Sequence, residues 1–326
     1  MTTSFILDED YNIKRKIFVV FFAIEQTSHE RLDQLLVKRF PAYSRAYFQN
    51  LIQQGSVKVN HQTVSKGRRL RQGDHIEVVF QKKQTINLIA QPLDLDVLYE
   101  DDTILCINKP AGLVVHPAPG HCDQTLVNAL LYHCLDITLP GDKHRPGLVH
   151  RLDKETSGVL VIAKTPLAYE KLCYQFSSRQ VKKRYAAIVI GHVQEKEICA
   201  PIGRHPKKRK QMAIVEGKLA KTVIQPIQEA GGFSLVFAYP ITGRTHQIRV
   251  HLQHNQTPIL GDPTYGLPKM NRRFGIERQL LHAERVLFEH PLTQKAVEIK
   301  APLPEDMTLC LHEIFKLDRV PPLQLL

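Results

Sequence analysis

No apolar run in this chain approaches the ~20 residues that a helix needs to span a bilayer, so a helical membrane protein is not expected. Residues 17–24, which follow Lys14-Arg-Lys16, are a short run for a signal peptide, and Glu25 comes next with no small-residue cleavage site; they read as a strand. The six cysteines (Cys106, Cys122, Cys134, Cys173, Cys199 and Cys310) include no C-x-x-C pair. That argues against a zinc site or a disulfide framework, and for a reducing, cytoplasmic compartment. A Rossmann glycine fingerprint, a P-loop, internal repeats and low-complexity tracts are also missing. No cofactor and no metal are expected.

What the chain has is length and positive charge. Its 326 residues, 43% hydrophobic, can bury a sizeable core and favour roughly two domains. The formal net charge of +12 points to a polyanionic partner, nucleic acid first, because each neutralised phosphate releases condensed counterions.

The pattern divides the chain into an N-terminal extension with a strand (1–29), a small unit (30–80), a polar linker (81–92) and a larger domain (93–326). In the small unit, Leu32, Leu35 and Leu36 are spaced for a helix that Pro41 ends. Ser44 caps a second helix with Tyr47, Phe48, Leu51 and Ile52 on its apolar face, and Gly55 stops it. Residues 57–60 and 75–80 alternate as strands. In the larger domain, residues 103–107, 159–163, 185–190, 234–238 and 296–299 read as strands, and residues 125–132, 166–176 and 307–317 as helices. Many strands with few helices indicate an α+β fold with a largely antiparallel, mixed sheet.

Arg31-Leu-Asp33, Tyr43-Ser-Arg45, Gly55-x-Val57-x-Val59-Asn60, Lys66 and Gly73-Asp74 resemble the alpha-L RNA-binding domain of several RNA-modifying enzymes. The resemblance implies that Arg45, Lys66, Arg68 and Arg69 lie against RNA phosphates.

The most informative segment is His150-Arg-Leu-Asp153-Lys-Glu-Thr-Ser-Gly158, a loop bracketed by Pro146, Gly147 and Gly158 just before an apolar strand. A carboxylate so held is a plausible nucleophile or base. The segment closely resembles the signature of the RluA/RluD pseudouridine synthases, which isomerise uridine in RNA and whose motif carries the catalytic aspartate; here that is Asp153. Further blocks follow in the family's order. Leu98 to Pro117 contains the turn Lys109-Pro-Ala-Gly112, read as a structural hairpin. Lys182-Lys-Arg-Tyr185 resembles the block that supplies an active-site tyrosine, so Tyr185 is expected to stack on an extruded base.

Thr242-Gly-Arg-Thr-His-Gln-Ile-Arg249 is read as a helix opened by Gly243, with Thr245 and Arg249 on one face. The resemblance makes Arg249 the partner of Asp153, and a nearby cation favours a carboxylate's ionised form. Leu260-Gly-Asp-Pro-Thr-Tyr-Gly266 is read as a structured turn. The basic stretch from Ile202 to Ala213, with Arg204, Lys207 and Lys208, resembles an RNA-contact arm of the RluD branch. Arg151 is expected to help hold the RNA open.

The resemblance implies an RNA pseudouridine synthase acting on large-subunit ribosomal RNA, free or within a pre-ribosomal particle; a monomer without membrane attachment is expected. Transfer RNA as substrate, or a noncatalytic RNA-binding assembly factor, are the alternatives. A serine hydrolase built on Ser157 lacks a G-x-S-x-G elbow. His246, His251 and His254 do not share a helical face as metal ligands would.

Overall fold

The computed structural model describes residues 18–25, 28–80, 88–117, 123–142, 145–208 and 211–319. It divides into two compact units, Met1–Thr85 and Ile86–Leu326. Cys122, most of the predicted 81–92 linker, and Arg209 and Lys210 of the basic stretch lie outside the described residues. The other five cysteines are free thiols.

The first unit contains β1 (Phe18–Ala23), β2 (Ser28–Arg31), α1 (Leu32–Arg39), α2 (Arg45–Gln53), β3 (Val57–Val59), β4 (Gln62–Thr63), β5 (Arg69–Leu70) and β6 (His75–Phe80). An antiparallel sheet runs in the order β1-β6-β3-β4, and β2 pairs separately with β5. Leu32 and Leu36 of α1 and Phe48, Leu51 and Ile52 of α2 bury their apolar stripes against Val57, Val78 and Phe80. The Ser44 hydroxyl accepts from the Tyr47 N–H at 3.3 Å and caps α2. Gly55, at φ 73°, takes the left-handed conformation that ends it.

A buried carboxylate ties the two helices together. Asp33 accepts from Arg31 Nε (3.0 Å), Arg45 Nε (3.0 Å) and Gln49 Nε2 (2.6 Å). Burial alone would raise its pKa, but hydrogen bonds from Gln49, Arg45 and Arg31 overcome that and lower it to about 2. Arg45 thus turns one edge inward, while its side chain stays 46% exposed. Lys66, Arg68 and Arg69 are exposed.

The second unit contains β7 (Val97–Glu100), β8 (Ile104–Lys109), α3 (Leu126–His133), β9 (Ser157–Ala163), α4 (Pro166–Ser177), β10 (Lys182–Ile190), β11 (Lys196–Arg204), β12 (Met212–Ile214), β13 (Lys218–Ala230), β14 (Phe233–Pro240), α5 (Gln247–His254), α6 (Pro268–Phe274), β15 (Leu281–Glu289), β16 (Ala296–Lys300) and α7 (Glu305–Cys310). One mixed sheet runs β12-β11-β13-β14-β10-β15-β9-β8-β7, with β16 added on β15. Every pairing in it is antiparallel except β9 with β15. This is the expected α+β architecture. Every residue of β9 is buried, which accounts for its unbroken apolar run. Among the described residues, no helix is long and apolar enough to cross a membrane.

One predicted helix starts late. It begins at Gln247, not at Gly243, because His246 adopts a left-handed φ of 56°. The Gln247 amide oxygen accepts from Thr242 Oγ1 (2.7 Å) and from the Arg244 N–H (2.9 Å), holding residues 242–246 as a turn. Thr245 therefore shares no helical face with Arg249.

Two stability predictions follow from this packing. A Cβ on Gly158, at φ 113°, would lie 2.3 Å from the Ala283 carbonyl oxygen on parallel β15. Gly158→Ala should destabilise the protein by at least about 2 kcal/mol in urea unfolding, through steric clash and backbone strain. An unchanged midpoint would refute that close approach. Asp33, with a folded pKa near 2 against ~3.9 in an unfolded chain, contributes stability that is complete above the unfolded value. That contribution should fade as pH falls from about 4 to 2, because the unfolded chain takes up its proton first. Calorimetry across this window should show a loss in the wild type that Asp33→Asn lacks; parallel curves would disprove the role.

Candidate active site

The segment His150 to Gly158 lies just before and into β9 and is fixed at several points. The His150 ring accepts the Val161 N–H through Nε2 at 2.9 Å and stacks on Phe176 with centroids 4.5 Å apart. Burial pushes its pKa down to about 3, so the ring is neutral, as an acceptor must be. Leu152 is buried in the core, Arg151 is exposed, and the Thr156 N–H closes a turn on the Asp153 carbonyl at 3.1 Å. Lys109, in the turn read as structural, is a fully buried cation whose ammonium donates to the carbonyls of Pro110 (2.6 Å), Leu113 (3.1 Å) and Lys154 (2.9 Å). Burial pushes its pKa down to about 7. It ties β8 to the residue that follows Asp153.

Asp153 meets Arg249 across 96 residues of sequence, with Arg249 Nη1 donating to Asp153 Oδ2 at 3.0 Å. The other edge of the guanidinium is held bidentately by Asp262, from Nε at 2.7 Å and from Nη2 at 3.0 Å. Asp262 is itself buried and accepts the N–H groups of Thr264 (2.8 Å) and Tyr265 (2.9 Å). The Tyr265 ring lies 5.0 Å from the guanidinium carbon. Burial alone would lower the pKa of Arg249; the hydrogen bonds and charge of Asp262, then of Asp153, outweigh it and raise it.

Asp153 and Arg249 border a cavity of about 510 Å³ whose lining also includes Arg151, Tyr185, His246 and Ile248. Tyr185 sits at a bulge in the β10–β15 pairing, between Arg184 and Ala186, where the strict in-and-out alternation breaks. Burial and then the charge of Asp153 raise its pKa, so the phenol keeps its proton. Arg184, beside it in the strand, is buried. It pairs with Glu284 at 2.8 and 2.9 Å and lies 4.2 Å over Phe237. Lys183 and Arg179 line the same cavity, and burial lowers the Lys183 pKa to about 8.

The remaining predicted cations lie on other parts of the fold. Arg204 ends β11, and the turn after it is organised by His205, whose Nδ1 accepts the N–H groups of Lys207 and Lys208 at 3.1 Å each. Arg204, Lys207 and Lys208 are exposed. His246, His251 and His254 do not converge: His251 is buried against Thr222 Oγ1 at 2.9 Å, and His254 is exposed. Among the described residues, no three His, Cys, Asp or Glu side chains group as metal ligands would. Ser157 does meet a histidine, His282, at 2.9 Å, but both are buried where β9 and β15 pair, out of a substrate's reach.

Sequence reasoning missed Asp262, Tyr265 and His246 as site residues. The Gly-Asp-Pro-Thr-Tyr-Gly turn was visible, but nothing in it showed that its carboxylate points at Arg249.

The sequence matches two family models, the S4 domain over residues 30–76 and RNA pseudouridylate synthase over residues 103–254. An uncharacterised RNA pseudouridine synthase of Bacillus subtilis is 41% identical over 297 residues, 90% of this chain and 97% of that protein. The ribosomal large subunit pseudouridine synthase D of Pseudomonas aeruginosa is 39% identical over 302 residues, 89% of this chain and 93% of that one. Among solved structures, human RNA pseudouridylate synthase domain containing 4 aligns at TM-score 0.53 and 28% identity, covering 66% of this chain and 91% of its own. With a fold, a cavity and relatives that agree, the chain belongs to the RNA pseudouridine synthases, enzymes that isomerise uridine to pseudouridine in RNA.

Proposed function

We propose that Asp153 supplies the reacting carboxylate, that Arg249 orients it, and that Tyr185 stacks on the uracil ring. The observation that carries this reading is the 3.0 Å contact between Asp153 and a guanidinium clamped from behind by Asp262, at the edge of a cavity lined by Tyr185. Converting uridine to pseudouridine breaks the bond from C1′ of the ribose to N1, turns the base and rejoins it through C5. No electrons, donor group or energy source enter. What the enzyme must provide is position and charge, and a preorganised carboxylate supplies both.

The target base must first leave its stack, at a cost of a few kcal/mol. Arg151, exposed at the cavity, holds the RNA open where the base departs. Arg204, Lys207 and Lys208 contact flanking phosphates, and so do Arg45, Lys66, Arg68 and Arg69 in the 30–80 domain. The exposure of Lys66, Arg68, Arg69, Arg204, Lys207 and Lys208, and the 46% exposure that Arg45 keeps while one edge holds Asp33, support this division. The proposed substrate is large-subunit ribosomal RNA, in keeping with the ribosomal large subunit in the name of the Pseudomonas aeruginosa relative.

Single-turnover assays on the native RNA test the central assignment. Asp153→Asn should reduce product formation by at least about 1,000-fold while RNA affinity is retained. Pseudouridine formed by this variant at near the normal rate would end the proposal. Maps of pseudouridine in ribosomal and transfer RNA, with and without the gene, test the substrate: lost positions should fall in large-subunit RNA, and losses confined to transfer RNA would move the assignment there. Lys207→Ala with Lys208→Ala should weaken RNA binding and flatten the log-log salt dependence by about 0.7–0.9 per lost contact, leaving the rate at saturation unchanged. An unaltered slope would take that turn off the RNA.

A further inference from the structure

Asp153 and Arg249 occupy one side of the cavity and leave open what receives the negative charge that develops on the base. When the C1′–N1 bond breaks heterolytically, its electron pair stays with uracil and spreads from N1 onto O2 and O4. If a carboxylate adds to the ring instead, charge again moves onto a ring carbonyl. Either route calls for a fixed hydrogen-bond donor at a uracil oxygen. We propose that this donor is the Nε2–H of His246, which holds a uracil carbonyl as the base detaches and turns; the inference rests on the reading of Asp153 as the reacting carboxylate.

The hydrogen-bond network assigns the tautomer. Tyr265 is buried, and its hydroxyl oxygen accepts the Met212 N–H at 2.8 Å. The hydroxyl's own proton needs an acceptor, and the one within reach among the described residues is His246 Nδ1, at 2.8 Å. With Nδ1 accepting, a neutral imidazole carries its proton on Nε2. That nitrogen lies 4.0 Å from Asp153 Oδ2, beyond hydrogen-bond range, so the N–H is not spent on the carboxylate. It sits beside the reacting group and borders the same cavity as Tyr185.

Two further features keep the ring in this state. The left-handed backbone at His246, φ 56°, is uncommon outside glycine and places the side chain ahead of α5 rather than along it. The groups that act on the imidazole are Asp153, Arg249, Asp262 and Arg151, together with the Tyr265 hydroxyl. Burial lowers its pKa below the ordinary histidine value despite the opposing pull of Asp153. A neutral donor suits the reaction. It stabilises charge on oxygen without surrendering its proton, while C5 loses one proton and N1 gains one, leaving the composition of the nucleotide unchanged.

Three variants and a spectrum test this. His246→Asn tolerates the left-handed backbone but is too short to reach the base; it should slow single-turnover conversion by about 100-fold with RNA affinity within roughly threefold of wild type. His246→Gln, whose amide N–H reaches close to the Nε2 position, should recover part of the rate. Tyr265→Phe keeps a ring under Arg249 but frees the tautomer, and should fall between wild type and His246→Asn. Long-range proton–nitrogen spectra of histidine-labelled wild-type enzyme should place the proton on Nε2. A wild-type rate in His246→Asn, a loss confined to affinity, or a proton found on Nδ1 overturns the proposal. Should His246→Asn fail to fold by circular dichroism, the glutamine variant and the spectrum decide. Asp153→Asn distinguishes the two readings: active Asp153→Asn defeats both, whereas inactive Asp153→Asn with unimpaired His246→Asn defeats only this one.

Discussion

One guanidinium shared by two carboxylates is the constraint on which the rest of the site depends. Arg249 is only 5% exposed, and removing such a cation from water costs several kcal/mol before any partner is counted. Asp262 meets most of that cost, since it fills two of the three donor positions in use and is held in turn by two backbone N–H groups. The third donor, Nη1, is then aimed at Asp153 by the planarity of the guanidinium. A lysine could not reproduce this, because a point charge with rotatable donors has no fixed second edge. Asp153, the more exposed of the two carboxylates at 18% against 0%, is the one left facing the cavity.

The loop that carries Asp153 is held on its other side by the backbone. Lys109 gathers carbonyls from its own turn and from Lys154, and His150 docks onto the β9 amide of Val161. Gly158 then lets β9 approach β15 where the sheet has its parallel pairing. Each device uses a polar or missing side chain to fix main chain in place. Together they fix the position of the carboxylate, and on the proposed reading of Asp153 that is where catalytic positioning is gained.

Much of this was legible in the sequence. Leucines at helical spacing and the Ser44 cap gave the small helices, and continuous β-branched runs gave β9 and most of β10. The resemblance of the 242–249 block paired Arg249 with Asp153, and the two are in contact. Strands β7, β11, β12, β13 and β15 were not singled out, and β13 shows a physical reason. β13 is 13 residues long, and in its first half buried Ala220, Thr222 and Ile224 alternate with half-buried neighbours. Its alternation then falters at Pro226, where its pairing with β14 shifts register, so no strand-length periodic signal survives. Arg184 could not be placed from the sequence, because a buried cation reads no differently from a surface one until its partner, 100 residues away, is known. Asp262 and His246 escaped because a side chain's direction in a turn is set by tertiary contacts, not by spacing.

Charge in this cavity is graded, and the gradient fits an isomerisation. Arg151, Arg179 and Lys183 supply cations among its lining residues, while Tyr185 stays protonated and the network assigns His246 a neutral ring. In the proposed reading, the phosphates are met by full positive charge and the base by neutral donors. An ammonium or imidazolium against the detached uracil would bind it as an ion pair, or protonate N1 before C5 could face the sugar. The base would then be lost as a free product. Neutral donors give weaker, exchangeable hydrogen bonds, so the ring can turn while the cavity keeps it close to C1′. Arg249, the cation in contact with the proposed reacting carboxylate, is engaged on both edges by Asp262 and Asp153, which keeps its charge committed to the protein.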